Sequence, residues 1–187
     1  MVEMGPDRMH HAFWHYMDPE HPQYPGPKNP YESAIYEYYK FLDGQIGDFL
    51  DLLDKHTIVL VVSDHGARPM LGGFCINEWL IQEGYLRLLE YPTQRLDFQD
   101  LAVDWPHTKA WGEGGYVSRI FLNVRGREPM GSIAEDRYEA VRTELVERLE
   151  SVLDPKGHRM GNRVYRPEDL YPVRNGNPPD LMCYFGN

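Results

Sequence analysis

Residues 31–56 place Ile35, Tyr38, Tyr39, Leu42, Ile46, Phe49, Leu50 and Leu53 three or four positions apart, the spacing of an amphipathic helix laid on a sheet. Pro30 suits the first turn of that helix, and Lys55 and His56 suit its negative end. The pattern then turns continuous. Residues 58–62, IVLVV, form the short unbroken apolar run of a strand covered on both faces, usually a parallel strand of an α/β sheet. Further on, 76–82 reads as a short helix stopped near Gly84, 85–89 as a short strand, and 117–124 as a second good strand with Asn123 at its end. Residues 138–152 are a second amphipathic helix with Val141, Leu145, Leu149 and Val152 on one face, and 180–185 a last strand introduced by Pro178 and Pro179.

Two stretches follow neither period. Residues 1–30, dense in His, Pro, Met and aromatics, are expected to be loop-rich, and 90–115 is an irregular excursion. The excursion lies in a segment, 70–116, that would wall or cover a pocket in a single domain running over 1–187. No internal repeat interrupts the chain. The order of elements is α/β, yet three or four strands and two long helices make an incomplete doubly wound sheet for 187 residues.

A hydrophobic content of 42% is ordinary for a globular chain with a real core. Nineteen basic against 29 acidic residues leave a net charge of −10, which argues against nucleic acid as a partner. Cys75 and Cys183 are too few for a disulfide framework and suggest a reducing, cytoplasmic setting. No stretch approaches the roughly 20 apolar residues of a membrane helix, so no membrane partner is expected.

The apolar run 58–62 leads directly into Ser63, Asp64, His65 and Gly66. Ligands of open α/β sheets sit beyond the carboxyl ends of strands, where Asp64 would offer a carboxylate, His65 an imidazole nitrogen and Gly66 the sharp turn that aims both at one cation. A polar loop start is the plainer reading of the same residues. Asp7 and His11, in GPDRMHHAFWHYMDPEHP, are four apart, so one helical turn would put both on one face; that spacing favours His11 over His10. His10, His15 and His21 offer further imidazoles, most of them better explained as part-exposed side chains among aromatics. Asp7 with His11 and Asp64 with His65 are four ligands of the type that two-metal phosphoryl-transfer sites use, and dications would supply the positive charge that a chain of net −10 lacks.

PDRMHHAFW, the helix before the strand, VVSDHG, DWPHTKAWGEGGYVSRIFLNVRGREPMG and RPEDLYPVRNGNPPDL together resemble the type I phosphodiesterase/nucleotide pyrophosphatase branch of the alkaline phosphatase superfamily. The resemblance covers nearly the whole chain. It implies an alkaline-phosphatase-like α/β/α sandwich with a mostly parallel sheet, present here in part. It also implies two divalent ions, zinc first and manganese as the alternative, and a Thr or Ser nucleophile that forms a covalent enzyme intermediate. Carried over by position, Asp64 and His65 would hold the metal that activates the nucleophile, and Asp7 and His11 the other. The substrate would be a small phosphate ester or a nucleotide.

The departures from the family pattern matter equally. The family's nucleophile and first metal-binding Asp lie upstream of the position of Asp7, and a further His ligand follows the region matched by PPDLMCYFGN; neither has a counterpart here. The expectation is a central to C-terminal fragment of a hydrolase, inactive in isolation, whose unpaired strand edges would favour a homodimer. Thr108 and Lys109 are candidate substrate-binding residues, although with Asp104 they could equally organise the excursion by local hydrogen bonds. Arg125 and Arg127 read as an exposed strand end rather than a phosphate patch. Other readings are a phosphoglycerate mutase or sulfatase-like relative, against which DWPHTKA speaks, and a non-catalytic metal-binding or assembly module.

Overall fold

Ser118, Ile120 and Leu122 alternate with Arg119 and Phe121, so strand β2 (Ser118–Leu122) buries one face and leaves the other partly open. In the computed structural model, which describes residues 2–70 and 72–186, β2 is central to a sheet of order β1-β2-β4-β3, with β1 Ala110–Gly114, β3 Arg163–Tyr165 and β4 Leu181–Tyr184. Every pairing is antiparallel: Trp111 faces Phe121, Ser118 faces Cys183 and Val164 faces Cys183. Helix α3 (Ile76–Gln82) lies against β1, and α4 (Tyr138–Glu150) against β3 and β4. Leu80, Ala110, Ile120, Leu122, Leu145, Leu149, Leu181 and Cys183 are fully buried between these layers. Each buried leucine contributes about 1.5–3 kcal/mol. Burial also pushes the Cys183 thiol up to about 12, leaving it an inert core residue.

These elements make up one of two units, Phe74–Asn187. Two polar devices tie it together. Asn77 donates its amide to the Gly112 carbonyl at 2.8 Å and accepts the Gly112 N–H at 2.7 Å, satisfying the outer edge of β1. Arg142, only 3% exposed, donates to the Asp180 carbonyl, to Glu139 and to Glu168, the last from the short helix α5 (Pro167–Leu170).

The Arg142 guanidinium holds the Glu168 carboxyl at about 2, against an ordinary 4.5. A depressed carboxyl stabilises the fold above its unfolded value and loses that contribution as pH falls from 4.5 through 2. Thermal melts stepped through this interval should fall more steeply for the native chain than for Glu168→Gln; parallel profiles would remove the pair from the acid response.

The other unit, Met1–Gly73, holds α1 (Gly5–Met17) and α2 (Ala34–Leu50). They meet through the rings of His10 and Tyr39, 5.8 Å apart, while Phe13 and Tyr16 of α1 both meet Tyr31 just before α2. Among its described residues only Ile35 and Leu42 are buried hydrophobics.

Several expectations are corrected. The sheet is antiparallel, not mostly parallel, because its strands are hairpin and return strands of residues 110–184. Residues 58–62 pair with no strand among the described residues and stand in water, Val61 at 88% exposure: apolar content makes a strand only where neighbours exist to bond it. Residues 85–89 keep one isolated bridge, Leu88 to Val103, although Tyr85 and Leu86 are buried. The helix of 31–56 is confined to Ala34–Leu50. Residues 1–30 contain a helix despite lacking apolar periodicity, since α1 buries no residue and rests on Pro6 and Asp7 in its first turn and His15 in its last. The excursion carries two single 3-10 turns, Phe98–Asp100 and Trp105–His107, and then β1, so its end belongs to the sheet.

Candidate functional site

Helix α1 places Asp7 and His11 one turn apart on one side, with His11 Nε2 3.4 Å from Asp7 Oδ1. Both side chains are open to solvent, so nothing but the helix holds them together. Asp64 and His65, in the same unit, form the second pair, with His65 Nε2 3.5 Å from Asp64 Oδ2. Donors bonded to one tetrahedral cation at about 2.0–2.1 Å stand roughly 3.3–3.4 Å from each other. Each pair therefore has the separation of neighbouring vertices around a shared ion.

The backbone prepares His65 further. Its Nδ1–H donates to the Gly66 carbonyl at 2.9 Å, which fixes the ring with Nε2 on the side of Asp64. The Asp64 carboxylate meanwhile accepts the His65 N–H at 3.0 Å. His65 is raised above its ordinary value, by the Gly66 carbonyl first, then by Asp64 and by Asp7. The Gly66 carbonyl is the participant that sequence reasoning missed: glycine in VSDHG signals a turn and says nothing of which oxygen meets the ring.

The donor set fits cations in part. Two pairs have the required chemistry and spacing, and among the described residues no group of three or more His, Cys, Asp or Glu side chains gathers around one point. His10, the rejected neighbour of His11, is engaged with aromatics and lies 3.4 Å from the Tyr39 hydroxyl. His15 and His21 lie tilted to each other with ring centres 5.9 Å apart. Ser63, the hydroxyl beside the second pair, donates to the His65 carbonyl.

The candidate substrate residues belong to the other unit. Thr108 is fully buried, its hydroxyl accepting the Arg87 N–H at 3.0 Å and lying 3.3 Å from the Arg87 carbonyl, so it holds the chain and presents nothing to solvent. Lys109 is exposed with its ammonium 5.9 Å from the Tyr85 ring centre. Arg127 is exposed just beyond β2, as expected of a strand end, but it is tied down. Both of its terminal nitrogens donate to Asp180, at 2.8 and 2.7 Å, which raises the guanidinium further above its ordinary value.

Comparison with known families matches the chain over residues 1–186 to the model described as type I phosphodiesterase / nucleotide pyrophosphatase. No curated protein and no solved structure matches the chain. Among the described residues no helix is long and apolar enough to cross a membrane.

Proposed function

The chain belongs to the type I phosphodiesterase / nucleotide pyrophosphatase family, and from that premise we propose that it carries part of the cation-holding site of a phosphoric-ester hydrolase. The observation that bears this reading is the spacing of the two Asp/His couples, 3.4 and 3.5 Å, with the His65 ring turned by Gly66 so that Nε2 is free. Asp64 and His65 would hold one divalent ion, zinc or manganese, and Asp7 and His11 the other. Bound cations supply charge that offsets the non-bridging oxygens of a phosphate ester and lowers the pKa of an attacking hydroxyl or water.

The chain's own contribution is placement. Helix α1 keeps a carboxylate and an imidazole on one side, and the Gly66 carbonyl keeps the His65 proton on Nδ1, away from the ligating nitrogen. With a net charge of −10 the protein repels an anionic ester until cations reverse the local field. No residue is assigned as nucleophile, since the Ser63 hydroxyl is engaged with backbone. Hydrolysis of a phosphodiester or pyrophosphate bond therefore needs a hydroxyl beyond those assigned, and the chain by itself is expected to leave bis-nitrophenyl phosphate intact in the presence of zinc.

Calorimetric titration with zinc tests the reading. The native chain should show saturable binding, with Asp64→Ala or His65→Ala weakening one component at least about tenfold and Asp7→Ala or His11→Ala the other. The absence of any three-ligand cluster among the described residues favours a second reading, a non-catalytic assembly module of the same family. Absent or unaltered binding in these variants would select it.

A further inference from the structure

Asp104 heads the 3-10 turn Trp105–His107, where a carboxylate ordinarily caps a backbone N–H; here it makes no such bond. Both of its oxygens instead meet His107 Nδ1, at 2.8 and 2.9 Å. That nitrogen must carry the proton, since a carboxylate only accepts, and His107 Nε2 is left facing outward. Beside it the backbone of Arg87 is pinned twice, its carbonyl accepting the Asp104 N–H at 2.8 Å and its N–H donating to the buried Thr108 hydroxyl at 3.0 Å. Among the described residues the Arg87 guanidinium has no carboxylate within ion-pair distance.

Arg87 and His107 line one groove of about 470 Å³, whose other walls include Ile81, Leu88 and Tyr91. The Tyr91 hydroxyl is engaged with Glu78. A cation without a partner, an imidazole held in one orientation and apolar walls meet in one concavity, the composition of a site for an anion on an apolar body.

We propose that this groove binds an organic phosphate monoester, its oxygens held by the Arg87 guanidinium and His107 Nε2 and its apolar portion laid on Ile81, Leu88 and Tyr91. The contact at His107 is one proton shared between phosphate oxygen and Nε2, whichever of the two brings it. The site is independent of the cation reading: its residues all lie in Phe74–Asn187, and the Asp/His couples in Met1–Gly73.

The test is a titration of the full chain with phenyl phosphate in EDTA, followed by the NMR signal of the His107 imidazole. A saturable shift is expected, about tenfold weaker affinity with inorganic phosphate, and no shift with benzyl alcohol. Arg87→Ala, followed by the same signal, and His107→Gln, followed by calorimetry, should each lower affinity about tenfold with unchanged circular dichroism, both side chains being exposed. Asp64→Asn should leave the titration as it is, which separates this site from the cation-holding one. A missing His107 shift would overturn the proposal, as would affinity that Arg87→Ala leaves intact or a preference for inorganic phosphate.

Discussion

Asp180→Ala should destabilise the unit Phe74–Asn187 by about 3–5 kcal/mol. The carboxylate is 4% exposed and carries four bonds: from the Leu122 N–H at 2.6 Å, from two nitrogens of Arg127, and from the Tyr138 hydroxyl at 2.7 Å. Its backbone works as well, its N–H donating to Ile120 and its carbonyl accepting from Arg142. Alanine would keep those backbone bonds and strand the Leu122 amide and the Tyr138 hydroxyl without an acceptor, while exposed Arg127 retains Glu128 and the Leu122 carbonyl. The penalty is the desolvation of two donors, together with the lost Arg127 contacts, rather than the worth of one ion pair. Urea unfolding followed by tryptophan fluorescence measures it, and Asp180→Asn, which retains an acceptor, should fall between the two. A loss under about 1 kcal/mol would show that water replaces the carboxylate at no great cost.

The second large effect is expected at Gly131. A Cβ there would stand 2.3 Å from the Val124 carbonyl oxygen and 2.4 Å from the Arg125 nitrogen, both backbone atoms that cannot swing aside. Gly131→Ala must separate two crossing segments, opening the Arg125 N–H bond to Ile133 at 2.8 Å and the Asn123 amide bond to Met130 at 3.0 Å. About 3 kcal/mol or more is expected from overpacking together with the lost bonds. Gly126→Ala is the control: at φ 82° it is strained, with open space around it, and should cost about 1–2 kcal/mol. Equal losses in the two variants would mean that the 124–133 loop relaxes freely.

Elements that carry their own pattern were legible from residue order alone. Helix α3 has the bounds its spacing predicts, α4 differs by two residues at its end, and β2 and β4 fall inside the expected runs. Elements that exist only through partners were not. β1, AWGEG, contains two glycines and is a strand because β2 pairs with it and Asn77 bonds its outer edge. Residues 58–62 fail in the opposite sense, having every preference for a strand and no neighbour among the described residues. Family membership was readable because DxxxH, SDHG and DWPHTKA stand in a fixed order, and the match over residues 1–186 agrees. The Asp180 junction left no mark in the sequence: one aspartate after two prolines gives no sign that Arg127, 53 positions earlier, will close on it.

The ribbon at 58–62 has a colloidal side. Five apolar residues whose backbone pairs with no strand among the described residues, and no proline, are the raw material of fibrils, and natural chains restrain such segments with charged gatekeepers at their flanks. Asp64 stands two places beyond Val62 and Arg68 shortly after, so the carboxylate offered to a cation is also the nearest anionic guard on the downstream side. Neutralising it, by an ion or by mutation, would relax the ribbon's protection against stacking.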